Sequence, residues 1–341
     1  DMKKRYDILA LGEVMLRLSP SGENRLVTGK SLDVHLGGAE MNVVTGASLL
    51  GMKTALLSKF PGNEIGSYAK RIIASTGTDT SQLVYDRESD ARMGLYYFEN
   101  GALPRKPTVV YDRKYSSFTK IQVEDFSEDI YAATKCFHTT GITLALGGSC
   151  RETAVKMIKK FKTAGAKISF DVNFRGNLWS GKEAKECIEE ILPMVDYFFC
   201  SEDTARLTFL KEGSLEEIMR SFGQEYPLTM VCSTQRVVHS PKCHSFGSKI
   251  YDVKKDLFYE ELPYENINVV DRIGSGDCYI AGALYGMLSE EGSIMKAVEY
   301  GNATAALKTT VAGDMGVSDK NEVELIIKQH KDTKHNFEMN R

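Results

Sequence analysis

A chain of 341 residues with 42% hydrophobic content can bury one large core and need not split into two equal domains. Its 43 basic and 46 acidic residues leave a net charge of −3, so no basic excess draws it to nucleic acid or to an anionic membrane. The cysteines at 136, 150, 187, 200, 232, 243 and 278 are odd in number and hold no Cys-x-x-Cys pair, which argues against a disulfide framework and structural zinc.

In chain order, the charged start Asp1-Met2-Lys3-Lys4-Arg5 runs into Tyr6 to Gly12, an apolar run too short for a signal peptide or membrane span and suited to a buried parallel strand. A cytoplasmic protein is expected. Val14 to Leu18 and Leu32 to Leu36 alternate apolar and polar residues around a Pro20-Ser21-Gly22 turn, which predicts a half-exposed sheet outside the main core. A helix follows to Leu50, then a strand from Thr54 to Lys59, a helix from Glu64 to Ser75, and another alternating pair at Ala91 to Phe98 and Thr108 to Tyr111.

The later chain alternates more regularly. Strands are predicted at Cys136 to Thr140, Lys167 to Val172, Tyr197 to Ser201 and Leu228 to Cys232, separated by helices at about 149–164, 182–192 and 202–223. That order is right-handed βαβ winding, so the main sheet should be mostly parallel and flanked by helices. A β-rich piece spans Arg236 to Tyr259, followed by helices from Gly274, over Ser293 to Thr310, and over Lys320 to Gln329. One domain over residues 1–341 is expected, since no repeat, low-complexity segment or interdomain linker interrupts the chain.

The most informative stretch is Val270-Asp271-Arg272-Ile273-Gly274-Ser275-Gly276-Asp277. Two glycines around a serine let consecutive N–H groups point one way at a helix start, which makes an anion site. A carboxylate there, Asp277, suits a base that takes a proton from a hydroxyl attacking phosphorus, while the Gly274, Ser275 and Gly276 amides stabilise the phosphoryl charge. Taken alone, the tetrapeptide reads more readily as a tight turn and a helix cap. A second stretch, Gly37-Gly38-Ala39-Glu40-Met41-Asn42, offers backbone that can approach a polyol and an amide that bonds vicinal hydroxyls. Tyr96, Tyr111, Arg113 and Arg175 form an aromatic and basic set, with Arg175 just past a strand end where open α/β sheets place ligands.

Together these segments resemble the PfkB (ribokinase-like) sugar kinases, whose signature Asp-Thr-x-Gly-Ala-Gly-Asp is matched by Asp271, Gly274, Gly276 and Asp277, and whose Gly-Gly-Ala-x-x-Asn is matched by Gly37, Gly38 and Asn42. Arg272 and Ser275 depart from the commonest form, and the Asp-Arg opening is similar to that of 2-keto-3-deoxygluconate kinases. The resemblance implies a ribokinase-like α/β fold with a small β-sheet lid, its strands within 14–36 and 91–112, and often a dimer contact through that lid. It implies ATP and Mg²⁺, with a monovalent cation as a further candidate, and a sugar acid held by Tyr96, Tyr111, Arg113 and Arg175. It also implies adenine near Ser233, Asn302 and Lys308.

The family's Asn-x-x-Glu, whose Glu helps order magnesium, corresponds to Ser201-Glu202-Asp203-Thr204, which puts Thr204 at the Glu position and leaves the metal contacts unassigned. Glu202 or Asp203 could replace it. No P-loop or Gly-x-Gly-x-x-Gly occurs, which disfavours a P-loop ATPase and an NAD-dependent dehydrogenase. The resulting expectation is phosphorylation of the terminal hydroxyl of 2-keto-3-deoxygluconate by ATP in a homo-oligomer. A neutral-sugar kinase such as a fructokinase, and a non-catalytic sugar-acid sensor, remain as alternatives.

Overall fold

The computed structural model describes residues 4–332. The charged residues 1–3 lie outside the described residues.

The main sheet runs, edge to edge, Leu257–Glu260, Cys243–Asp252, Met230–Ser240, Tyr197–Phe199, Lys167–Asp171, Thr134–Thr140, Tyr6–Leu11, Thr54–Leu57, with Tyr264–Asn268 pairing off the path to Cys243–Asp252. The pairings from Met230–Ser240 to Thr54–Leu57 are all parallel, and those of Cys243–Asp252 with its neighbours are antiparallel. The continuous apolar run of the first strand has a plain cause. Leu9 and Leu11 face a core shared with Phe137 and Phe170, whereas Ile8 and Ala10 face a second core shared with Met41 and Tyr279. Both faces are covered by helices, so period-two alternation disappears. Each Leu, Ile or Phe fully buried there contributes about 1.5–3 kcal/mol.

A separate four-stranded sheet, ordered Asp33–Gly37, Met15–Ser19, Gly94–Glu99, Thr108–Asp112, is built from the segments whose apolar and polar residues alternate. One of its faces closes on the main body through Met15, Tyr96 and Phe98, while Val109 and Val110 stay exposed on its edge strand. This is the small sheet expected as a lid.

Several boundaries differ from the sequence reading, three of them near the site. The helix expected over 202–223 is two helices, Glu202–Leu207 and Leu215–Glu225, because Leu210 (φ 56°) and Gly213 (φ 99°) turn the chain left-handed between them. The strand expected to end at Cys232 continues to Ser240, paired to the antiparallel neighbour beyond the parallel sheet. The strand expected to run to Ser201 stops at Phe199, and Ser201 instead caps the next helix by accepting from the Thr204 N–H. All seven cysteines are free, and five are buried. Among the described residues no helix is long and apolar enough to cross a membrane.

Candidate active site

The carboxyl ends of the parallel strands, the lid and the start of the helix Ser275–Leu288 converge on two cavities, of about 690 and 390 Å³. Gly274, Asp277, Asn173 and Arg175 belong to the walls of both. Gly274 caps the helix at φ 84°, and a Cβ there would stand 1.9 Å from the Asp314 carbonyl oxygen, so only glycine fits this turn. The Ser275 N–H is taken by the Arg272 carbonyl at 3.2 Å. The Gly276 and Asp277 amides lie one step further into the first turn, where N–H groups lack intrahelical acceptors, and both residues line the smaller cavity. Of the expected Gly274 to Gly276 amides, that of Ser275 is therefore occupied within the turn.

Asn42 Nδ2 donates to Asp277 Oδ2 at 2.9 Å, so the structure brings the two glycine motifs to one point. Burial pushes the Asp277 carboxyl up to about 8, against the Asn42 hydrogen bond and the Arg175 charge that lower it. Asp171, at the end of a parallel strand, is pushed up to about 7 by burial and held down by Arg175. Arg175 is exposed, its Nη1 donates only to the Phe174 carbonyl at 3.2 Å, and among the described residues it has no ion-pair partner. Asn42 is 2% exposed and its Oδ1 has no hydrogen-bond partner. That leaves one buried acceptor unfilled beside the carboxylate.

The lid side is organised differently. A Cβ on Gly37 would meet Asp314 Oδ2 at 2.6 Å, and one on Gly38 would meet the Glu13 carbonyl at 2.6 Å, so both glycines permit a close approach of lid and body. Tyr96 donates to Asp314 and stacks on Tyr111 with ring centroids 5.9 Å apart. Arg17, unnoticed in the sequence, bridges Asp271 Oδ2 at 2.6 Å and Asp314 Oδ1 at 2.9 Å with all three side chains buried. Lys308 is buried too, and its Nζ donates to the carbonyls of Asp271 (2.9 Å) and Val311 (3.2 Å). Arg113 lines the larger cavity but is paired with Glu13 Oε1 at 2.5 Å, so its charge is already neutralised, unlike that of Arg175.

The expected nucleotide and metal residues fare unevenly. Neither Ser233 nor Asn302 lines either cavity. Asn302 is fully buried, accepting from Ser248 Oγ at 2.7 Å and donating to Glu261 Oε1 at 3.0 Å, and Ser233 is 2% exposed. Strand alternation turns Cys232 and Thr234, not Ser233, toward the smaller cavity. Glu202 is drawn off by Arg206 at 2.9 Å, and neither it nor Asp203 lines a cavity. The oxygen-bearing side chains in the smaller cavity include Asp171, Ser201 and Thr204, with the Ser201 hydroxyl donating to Thr204 Oγ1 at 2.9 Å. A carboxylate raised by burial beside two hydroxyls fits a hard divalent cation carried largely by phosphate oxygens and water. Among the described residues no group of three or more His, Cys, Asp or Glu side chains forms a cage for one.

Comparison with known proteins agrees with this geometry. A model described as pfkB family carbohydrate kinase matches residues 5–321. A 2-dehydro-3-deoxygalactonokinase of Haloferax volcanii is 32% identical over 94% of this chain and 96% of its own. The crystal structure of a 2-dehydro-3-deoxygluconokinase from Thermotoga maritima superposes with a TM-score of 0.89 at 29% identity, covering 95% of this chain and 99% of that one. A sugar kinase from Pyrococcus horikoshii, solved in complex with ATP, superposes with a TM-score of 0.75 at 25% identity, covering 94% and 99%. With its two glycine motifs joined at Asp277 under a β lid, the chain belongs to the pfkB family of carbohydrate kinases.

Proposed function

We propose that the protein phosphorylates the terminal hydroxyl of a 2-keto-3-deoxy sugar acid, 2-keto-3-deoxygluconate in the first place, with ATP as donor. The observation that carries the reading is the unpaired Arg175 guanidinium in the wall shared by both cavities, beside Asp277 and Asn42. A guanidinium fork there suits a carboxylate, and the relatives from Haloferax volcanii and Thermotoga maritima carry names of sugar-acid kinases.

The sugar lies in the larger cavity against Gly37, Gly38, Tyr96 and Tyr111, and one of its hydroxyls donates to the unfilled Asn42 Oδ1. Ionised Asp277 takes the proton of the terminal hydroxyl as that oxygen bonds to the γ-phosphorus and the bond to the departing ADP oxygen breaks. The Gly276 and Asp277 amides stabilise the charge on the phosphoryl oxygens in flight. Asp171 and Thr204 would hold magnesium together with phosphate oxygens, and the ion would supply neutralisation of phosphate charge; a monovalent cation is a further candidate. The lid excludes water that would otherwise accept the phosphoryl group.

The Arg113–Glu13 pair favours a second reading, a neutral-sugar kinase, because it removes one of the two arginines expected to grip an acid. The test is ADP formation by the wild-type protein with ATP, magnesium and either 2-keto-3-deoxygluconate or fructose. Sugar-acid-dependent ADP at a kcat/KM well above that for fructose supports the proposal. A preference for fructose transfers the assignment to the second reading, and no sugar-dependent ADP at all leaves a sensor.

A further inference from the structure

The strand Met230–Ser240 carries Arg236 to the outer side of the 274–277 loop, where its Nη2 donates to Ser275 Oγ and its Nη1 meets His244 Nδ1 at 3.0 Å. Its guanidinium lies 5.4 Å above the Phe246 ring, which desolvates one face. Arg272, two residues before the loop's first glycine, is exposed beside it. Among the described residues neither arginine has a carboxylate partner, although Arg17 is matched by Asp271 and Asp314 and Arg113 by Glu13. The local field is correspondingly positive. Burial and the Arg272 charge push the Arg236 guanidinium down to about 10, and burial with the charges of Arg236, Arg272 and His239 pushes His244 down to about 4. Arg272 and His244 share the wall of the larger cavity with Gly274 and Asp277, so whatever reaches the loop from this side meets that field.

We propose that Arg236 and Arg272 form a second anion subsite on the hairpin side of the loop, and that it holds the phosphate groups of the nucleotide that are not transferred. A half-buried cation with no counter-charge is costly in the empty protein and is satisfied when a ligand supplies the charge. The γ-phosphoryl group faces the Gly276 and Asp277 amides, and Arg175 is taken by the sugar acid. The remaining phosphates carry charge of their own, and guanidinium forks take phosphate oxygens in pairs. This assigns Arg272, a departure from the usual signature, to nucleotide binding rather than to the choice of sugar. It rests on the kinase reading, but its test does not need turnover.

The experiment is calorimetric titration of ADP into the wild type, Arg272→Gln and Arg236→Gln at two salt concentrations, with KM for ATP and for 2-keto-3-deoxygluconate measured alongside. Among the described residues the Arg272 side chain makes no hydrogen bond or ion pair, so its variant folds even where Arg236→Gln disturbs the loop. Each variant is expected to weaken ADP binding about tenfold or more, to flatten its salt dependence, and to leave the sugar-acid KM unchanged. Unchanged ADP affinity in Arg272→Gln overturns the proposal. A rise in sugar-acid KM with ADP affinity intact also overturns it, by moving the subsite to the sugar carboxylate. A wild type that binds ADP but forms none in response to sugar defeats the kinase reading alone, because the ADP affinities still decide the subsite.

Discussion

Asn42 Nδ2 donates to Asp277 Oδ2 at 2.9 Å across 235 positions of sequence. The bond orients the carboxylate and lowers its pKa, while burial raises it further than the bond can offset. A carboxyl raised to about 8 is ionised in only part of the protein near neutral pH, and the proposed mechanism uses that ionised form. Asp277→Asn should therefore lower kcat by about 10²- to 10⁴-fold while leaving sugar affinity nearly intact, since the amide keeps the shape but cannot take the proton. Steady-state kinetics beside equilibrium sugar binding check this, and a variant that keeps more than about a tenth of the wild-type kcat is inconsistent with a base at this position.

The same carboxyl fixes a pH dependence. The base works ionised, so kcat/KM should rise with pH along a limb centred near about 8, the raised value for the free protein. Asn42→Ala removes a contact that favours the ionised form, so its limb should move to higher pH. For stability the sign is opposite. A carboxyl at about 8 when folded and about 3.9 when unfolded makes the native state bind more protons between those values, so stability falls as pH rises through that window. Asp277→Asn lacks this loss, and its Tm relative to wild type should climb between pH 5 and pH 9.

The buried bridge from Arg17 to Asp271 and Asp314 ties the lid strand to the loop that carries Asp277. Arg17→Met leaves two buried carboxylates without that partner and should cost about 3–5 kcal/mol in urea unfolding. A loss below about 1 kcal/mol would mean that the loops relax to let water reach both groups.

Gly38→Ala places a Cβ 2.6 Å from the Glu13 carbonyl and should cost about 1–3 kcal/mol, with a raised sugar KM because the lid strand must shift. Unfolding curves and sugar kinetics together separate a local shift from general damage.

The lid edge Thr108–Asp112 is exposed along its whole length, Val110 included. Such an edge is normally covered, so sedimentation should show a dimer that Val110→Lys converts to monomer. A monomeric wild type contradicts this.

Much of the architecture was legible because its causes are local. Continuous apolar strands, amphipathic alternation at 14–36 and 91–112, and the two glycine motifs each carry their own signal. What escaped depends on long-range partners. Asp171 looks like an ordinary strand end until Arg175 and Asp277 are placed beside it, and the bridging role of Arg17 exists only once Asp314, nearly three hundred residues later, folds against the lid. That Ser233 and Asn302 line neither of the two cavities follows from strand register and helix rotation, which are not visible in composition. Lys308 shows the same limit from the other side. A lysine near a helix end reads as solvated, yet here it is buried and holds two carbonyls.

The central claim is that Arg175 recognises an acid group on the sugar, and the most direct measurement is the ratio of kcat/KM for 2-keto-3-deoxygluconate over fructose in wild type and Arg175→Ala, with Tm recorded for both. Arg175 supports no other side chain, so Tm should hold, and loss of a charged hydrogen bond should lower the acid-sugar value by about 10- to 150-fold with fructose little changed. An unchanged ratio, with both substrates losing alike, would contradict the assignment to a sugar-acid kinase.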